Sequence, residues 1–159
     1  MSKKLLEPGL PRGFEDSFGK SLIIEKKIKE IIEKNFLRYG YTEIKTSPME
    51  FSENIGGFLT DDLNDFSKDI FTFDDKDRKI SLRFDLSAPL ARIVSEKYLE
   101  FAFPFRRFQI AEVFRNETSK TGRGRYRSFV QGDFDQIFYG KVPPQANAEI
   151  IQIIRDTMF

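Results

Sequence analysis

Apolar residues recur at the spacing of an amphipathic helix in three parts of the chain. The first stripe consists of Ile24, Ile28, Ile31, Ile32 and Phe36. Lys and Glu fill the other face of residues 21–39, and Gly40 is suited to end that helix. Residues 87–98 begin with Ser87 as a possible N-cap, and residues 146–158 show the same periodicity. The pattern therefore predicts three helices.

Between these helices, aromatic and aliphatic residues alternate with polar ones, which is typical of strands. Such segments cover residues 41–46, 105–114 and 126–138. Residues 70–73 and 80–84 flank an Asp-Asp-Lys-Asp sequence, as the two strands of a hairpin would. Helices interspersed with hairpins predict an α+β fold.

The composition excludes several kinds of active site. The 159 residues include no cysteine and no histidine, so the chain offers no thiolate nucleophile, no Ser-His-Asp triad and no Cys- or His-based metal site. Any chemistry must therefore use carboxylates, guanidiniums, amines and hydroxyls. No apolar run is long enough to span a membrane and no signal sequence is recognisable, so we expect a soluble cytoplasmic protein.

Charge is nearly balanced overall, with 26 basic and 25 acidic residues, but it is unevenly distributed. Residues 58–77 contain seven aspartates and two lysines, which indicates an exposed loop. Residues 106–127 contain six arginines and one lysine against two glutamates. A cluster rich in Arg favours bidentate binding of phosphate or carboxylate, and a solvated surface loop is the alternative.

Residues 114–135 combine side chains that could hold a polar ligand. On the strands of an antiparallel hairpin, residues two apart share a face. Arg115 and Glu117 would then lie on one face. The return strand would present Phe129, Gln131, Asp133 and Asp135 together. Such a face offers a guanidinium for an anion, carboxylates for an amine and a ring for stacking. The alternative is an ordinary amphipathic hairpin whose charged side faces water.

Three stretches of sequence carry a resemblance to a known family. They are YGYTEIKTSPME at residues 39–50, LRFDLSAPLAR at residues 82–92, and FRNE at residues 114–117 followed by GRYRSFVQGDFD at residues 124–135. The first, with Pro48, is similar to class II motif 1, the second to an LRxDLTxPxAR segment, and the third to class II motif 2. Together they resemble the histidyl-tRNA synthetases, which are class II aminoacyl-tRNA synthetases. The resemblance implies that residues 1–159 are the N-terminal part of the catalytic domain, with an antiparallel sheet and flanking helices.

The resemblance also implies roles for individual residues. Histidine would be bound by Asp85, Leu86, Ser87, Arg115, Gln131 and Asp135, with Ser87 in place of the family's usual Thr and Asp135 beside the amino group. ATP would be bound by Arg115, Glu117 and Phe129. Arg115 would be the catalytic residue that bridges the histidine carboxylate and the α-phosphate, Glu117 would accept from the adenine amino group, and Phe129 would stack on adenine. Arg123, Arg125 and Arg127 would lie near the ATP phosphates or the tRNA acceptor end. No side chains are assigned to a protein-bound metal.

The implied activity is that of a histidine–tRNA ligase in protein biosynthesis. ATP with Mg2+ would activate L-histidine to histidyl-adenylate, and the histidyl group would pass to tRNA(His). The family forms homodimers, here through the region from Ser21 to Pro48. Because class II motif 3 and the anticodon-binding domain are not in residues 1–159, we expect this fragment alone to be inactive. The alternatives are the histidine-sensing regulatory subunit of ATP phosphoribosyltransferase and a nucleic-acid-binding module.

Overall fold

The computed structural model describes residues 7–56, 69–116 and 126–159. The helices are α1 (Lys20–Arg38), α2 (Ser52–Gly56), α3 (Ser87–Glu96) and α4 (Pro144–Met158). The strands are β1 (Thr42–Glu43), β2 (Met49–Phe51), β3 (Thr72–Asp75), β4 (Arg78–Leu82), β5 (Phe105–Phe114) and β6 (Ser128–Ile137). The three predicted helices are confirmed, with ends within two residues of the predicted ones. None of the helices in these ranges is both long and apolar enough to cross a lipid bilayer.

Two three-stranded sheets organise the chain. One has the order β1–β5–β6 and the other β2–β4–β3. The α+β prediction and both predicted hairpins are confirmed, because β5 with β6 and β3 with β4 pair antiparallel. One pairing in these sheets is parallel, that of the two-residue strand β1 with β5. The predicted strand at residues 41–46 is shortened to Thr42–Glu43, and β2 starts only after Pro48, whose ring nitrogen has no hydrogen to donate.

One buried arginine joins the two sheets. The Arg83 side chain donates from Nε to the carbonyl of Glu112 at 2.7 Å and from Nη1 to the carbonyl of Thr46 at 3.2 Å. The backbone amide of Arg83 donates to the carbonyl of Pro48 at 3.0 Å, and the carbonyl of Arg83 accepts from the amide of Phe114 at 3.0 Å. Arg83 therefore fixes the segment that follows β4 against the end of β5.

The end of α1 begins the hydrophobic core. The amide of Gly40 donates to the carbonyl of Leu37 and that of Tyr41 to the carbonyl of Phe36, both at 3.0 Å, which is the Schellman pattern. Gly40 has a φ of +75°, a value that glycine adopts without strain. This turn directs Tyr41 back onto Phe36. Both pack with Phe108 and with Ile153 of α4.

The apolar stripe of α1 is only partly buried. Ile32 and Phe36 pack into the core. Ile24, Ile28 and Ile31, in contrast, are 57%, 51% and 55% exposed. The periodicity thus correctly predicted the helix, but only its C-terminal half covers the sheet within this chain.

The start of α3 differs from the prediction in one respect. Ser87 was expected to cap the helix, but it is the first helical residue and no side-chain cap is formed by the residue before it. The carboxylate of Asp85 instead accepts from the amide of Ala88 at 3.1 Å. A carboxylate is well suited to this place because it satisfies an otherwise unpaired amide and meets the positive end of the helix dipole.

Replacing Phe36 by Ala tests the position of the core. Its ring lies 5.2 Å from that of Phe108 and 4.6 Å from that of Phe134. Because the substitution leaves a cavity, we expect Phe36→Ala to lower the free energy of unfolding by about 3–5 kcal/mol. Urea unfolding followed by circular dichroism measures this. The control is Phe18→Ala, at a side chain that is 80% exposed, with an expected change of less than about 0.5 kcal/mol. Equal effects of the two substitutions would contradict the proposed core.

Candidate active site

The strands β5 and β6 present one face to the core and the opposite face to the candidate site. Phe108 and Phe134, which are direct partners in the ladder, lie on the core face. On the other face the direct partners are Arg107 with Asp135, Gln109 with Asp133, Ala111 with Gln131 and Val113 with Phe129. Direct partners in an antiparallel ladder project to the same side. The prediction that Phe129, Gln131, Asp133 and Asp135 share one face is therefore confirmed. We call this side of the β5–β6 hairpin the site face.

Arg115 stands at the end of the site face, one residue beyond β5. Its guanidinium carbon lies 4.4 Å from the centre of the Phe84 ring and 5.0 Å from that of Phe129. Its backbone amide donates to the carbonyl of Arg127 at 2.8 Å, which extends the ladder by one bond. Two aromatic faces next to a cation lower its energy and restrict its position. The structure thus brings together Arg115 and Phe129, two of the residues predicted to bind one ligand.

The segment before α3 approaches the same face. Asp85 is half-buried between Phe84 and the start of the helix, and its negative charge raises the pKa of Asp135. Ser87 is exposed at the first turn of α3, whereas the side chain of Leu86 is completely buried. Asp85 and Ser87 can therefore offer side-chain oxygens to a ligand. Leu86 can offer only its backbone.

Burial and neighbouring charges determine the protonation of Asp135. Burial raises the pKa of its carboxyl group, and the charges of Asp133 and Asp85 raise it further. The Arg107 guanidinium opposes both effects and lowers this pKa. Nη2 of Arg107 donates to Asp133 at 2.6 Å and also to Asp135. The pKa of Asp135 therefore depends on the balance between burial, two acidic neighbours and this one arginine.

Several buried polar atoms of the site face have no hydrogen-bond partner among the described residues. They are Gln109 Nε2, Gln131 Oε1 and two nitrogens of Arg107, Nε and Nη1. An unpaired buried polar group typically costs about 1–3 kcal/mol. Groups of this kind concentrated on one face are typical of a surface that binds a polar ligand.

The described arginines of the predicted basic cluster do not lie on one surface. Arg106 points to the core side, where it pairs with Glu149 at 3.0 Å, and Arg107 is buried on the site face. The amide of Arg127 donates to the carbonyl of Gly13 at 2.7 Å, which ties it to the N-terminal segment. Gly13 has a φ of +85°, and a Cβ there would lie 2.8 Å from Cγ of Arg127. Of the remaining predicted site residues, Glu117, Arg123 and Arg125 lie outside the described residues.

Two residues of the site were not predicted from the sequence. Arg107 was counted only as part of the basic cluster, although its alternation with Gln109 along β5 already placed it on the site face. Phe84 was assigned to a hairpin strand, and its ring packs beside Arg115 instead. No metal-binding group of three or more carboxylate side chains is found in the part of the chain that the structure describes.

Comparison with known proteins places this geometry in a family. The family model described as histidyl-tRNA synthetase matches residues 13–159. The histidine–tRNA ligase of Pelagibacter ubique (strain HTCC1062) is 48% identical over 154 residues, which cover 96% of this chain and 32% of that protein. The histidine–tRNA ligase of Bradyrhizobium diazoefficiens is 39% identical over 156 residues, which cover 96% of this chain and 30% of that protein. The chain thus spans about a third of the length of the curated relatives it matches.

A solved structure agrees with the sequence comparison. Histidyl-tRNA synthetase from Nostoc sp. PCC 7120 superimposes with a TM-score of 0.80 at 25% identity, over 94% of this chain and 33% of that one. By the family model and the identity to these ligases, the chain belongs to the histidyl-tRNA synthetase family.

Proposed function

We propose that this chain is part of a class II histidine–tRNA ligase, a cytoplasmic enzyme that activates L-histidine with ATP and transfers it to tRNA(His). The observation that carries the proposal is the place of Arg115 between Phe84 and Phe129, at the end of a face that holds Gln131 and Asp135. A guanidinium, an aromatic ring and acidic groups on one face fit an aminoacyl-adenylate, which contains a phosphate, a purine and an amino group. Membership in the family supports the same conclusion.

In the proposed site the acidic end of the face binds histidine. Asp85, Ser87, Gln131 and Asp135 bind its polar groups, and Leu86 contributes only backbone. The unpaired Oε1 of Gln131 supports this role, because a ligand N–H would satisfy it. Asp135, beside the α-amino group, offers its carboxyl group to a positively charged amine, and the Arg107 guanidinium opposes the rise in its pKa that burial causes.

ATP is proposed to bind at the opposite end of the face. Phe129 stacks on adenine, a contact that typically contributes about 1–3 kcal/mol, and Glu117 accepts from the adenine amino group. Arg123, Arg125 and Arg127 bind the phosphates or the acceptor end of tRNA. Mg2+ enters with the phosphates of ATP.

The proposed reaction needs no nucleophile from the protein. A carboxylate oxygen of histidine attacks the α-phosphorus in line with the leaving pyrophosphate, which gives histidyl-adenylate. A hydroxyl at the 3′ end of the tRNA then attacks the histidyl carbonyl, and AMP leaves. Arg115 contacts both the attacking carboxylate and the α-phosphate, so it holds two negative groups together and offsets the charge that develops between them.

A second candidate function has one observation in its favour. A structure described as an ATP phosphoribosyltransferase regulatory subunit/histidyl-tRNA synthetase, from Bacillus halodurans, superimposes with a TM-score of 0.80 at 24% identity. A histidine sensor would bind histidine without forming an adenylate. Histidine-dependent exchange of pyrophosphate into ATP therefore distinguishes the ligase from the sensor.

Arg115 provides the main test of the proposed function. In the full-length protein, we expect Arg115→Ala to lower the rate of pyrophosphate exchange by about a hundred- to a thousandfold, because a preorganised charge stabiliser is lost. Arg115→Lys keeps the charge but loses the bidentate geometry, so we expect it to be seriously impaired as well. The binding of histidine alone should weaken much less.

The control for both variants is Arg155→Ala. That side chain is 64% exposed, lies on α4 away from the site face and should leave exchange within about twofold of the parent. Melting temperatures check folding. Exchange rates within a few-fold of the parent in both Arg115 variants would show that this face is not the site of adenylation.

We also propose that the protein forms a homodimer through the region from Ser21 to Pro48. The support is the part of the α1 stripe that no residue described in this chain covers, where Ile24, Ile28 and Ile31 are each more than half exposed. Exposed aliphatic side chains in a row favour association with another apolar surface.

A charge placed in this stripe should weaken the dimer. We expect Ile28→Glu to raise the dimer dissociation constant by at least about tenfold, because a buried unpaired carboxylate is costly. Sedimentation velocity over a range of concentrations measures the change. The control, Lys26→Glu, alters an exposed position on another side of α1 and should leave the dimer intact. Identical behaviour of both variants would contradict an interface at this stripe.

A further inference from the structure

Arg107 is the most deeply buried charged group of the site face. Its side chain is 0% exposed, while those of Asp133 and Asp135 are 20% and 39% exposed. Arg107 faces Asp135 directly across the ladder, and Gln109 faces Asp133. A buried guanidinium is costly unless opposite charges compensate it, so its place between two aspartates is the arrangement that the sheet can tolerate.

The bonding of Arg107 differs from that of a purely structural arginine. Arg83 donates from two different nitrogens to backbone carbonyls and so joins separate strands. Arg107 instead donates from the single nitrogen Nη2 to the carboxylates of Asp133 and Asp135. Its other two nitrogens, Nε and Nη1, have no partner within the described ranges. Arg107 therefore directs two side-chain carboxylates and holds no backbone strand in place through its side chain.

The charged groups around Asp135 show what Arg107 does at this position. Three charged groups interact with Asp135: Arg107 of β5, Asp133 of the same strand and Asp85 of the segment before α3. The charge of Asp135 also acts on the hydroxyl of Tyr41 and raises its pKa. Arg107 contacts two of these carboxylates, those of Asp133 and Asp135, so acidic groups outnumber the one basic group at this position. Without Arg107, Asp133 and Asp135 would repel each other with no compensating charge between them.

We propose that Arg107 is a positioning residue for the amino acid: it orients the carboxylate of Asp135, together with that of Asp133, toward a cationic ligand. This inference rests on the proposed function, because that function assigns Asp135 to the histidine pocket. Arg107 acts through Asp135 and touches no reacting atom. Its removal must therefore affect the use of histidine more than the use of ATP.

The test compares Arg107→Met with Arg106→Gln in the full-length enzyme. Arg106 is the preceding residue of β5 and pairs with Glu149 on the core side, so its variant also loses one arginine and one ion pair. Pyrophosphate exchange gives the KM for histidine and the KM for ATP separately. For Arg107→Met we expect the KM for histidine to rise about ten- to a hundredfold, with the KM for ATP within about twofold of the parent. Arg106→Gln should change neither.

The pH profile provides a readout that a structural role would not change. Arg107 lowers the pKa of Asp135, so its loss should move the acid limb of kcat/KM for histidine to higher pH. Asp133 raises the same pKa, so Asp133→Asn should move that limb to lower pH. These opposite directions keep the test valid even if Arg107→Met does not fold, because Asp133→Asn and Arg107→Lys remain. Arg107→Lys, which keeps the charge, should shift the limb less than Arg107→Met.

The outcomes separate this inference from the proposed function. If the parent catalyses histidine-dependent exchange and the Arg107 and Asp133 variants show unshifted pH profiles and an unchanged KM for histidine, the positioning role is refuted and the ligase proposal stands. If the parent catalyses no histidine-dependent exchange, the proposed function fails, and this inference fails with it.

Discussion

The ten-residue antiparallel ladder between β5 and β6 is the constraint on which the rest of the structure depends. Its alternation sorts every second side chain to opposite sides, so Phe108 and Phe134 reach the core while Arg107 and Asp135 reach the site face. A shift of one residue in register would place aromatic rings on the polar side and carboxylates against α1. The core in this way determines the geometry of the site: the packing of Phe36 on Phe108 and Phe134 fixes which residues can meet a ligand.

Much of this arrangement could be predicted from the sequence because it depends on local periodicity. The strand at residues 105–114, the helix ends and the shared face of Phe129, Gln131 and Asp133 all follow from period-two or period-3.6 patterns. The parallel pairing of β1 with β5 could not be predicted, because it joins segments far apart in the chain and needs only two residues of strand. The capping of α3 by Asp85 was missed for another reason. Both Asp85 and Ser87 are residue types that cap helices, and only the backbone conformation decides which of them accepts from a free amide of the first turn.

Charge was the least predictable feature. The sequence indicated a basic cluster between residues 106 and 127, but three of its described arginines contact three different parts of the chain. Arg106 pairs with Glu149 of α4, Arg107 with two aspartates of β6, and Arg127 lies beside Gly13. A linear count includes charges that the fold neutralises internally. Among the described residues, the site face holds acidic groups around Asp135 and the guanidinium of Arg115 at its other end, as the proposed ligand, with an amine at one end and a phosphate at the other, requires.

The contact between Gly13 and Arg127 has a consequence for the order of events during synthesis. The carbonyl of Gly13 accepts from the amide of Arg127, and the carbonyl of Arg127 accepts from the amide of Arg115. The N-terminal segment therefore adds one backbone hydrogen bond beside the Arg115 end of the hairpin. The ribosome makes this segment first, yet its docking partner is translated roughly a hundred residues later. At about 5–20 residues per second, the interval is on the order of ten seconds. During that time residues near Gly13 have no hairpin to join. The Arg115 end of the site face can therefore be completed only after β6 has left the ribosome, however early α1 folds.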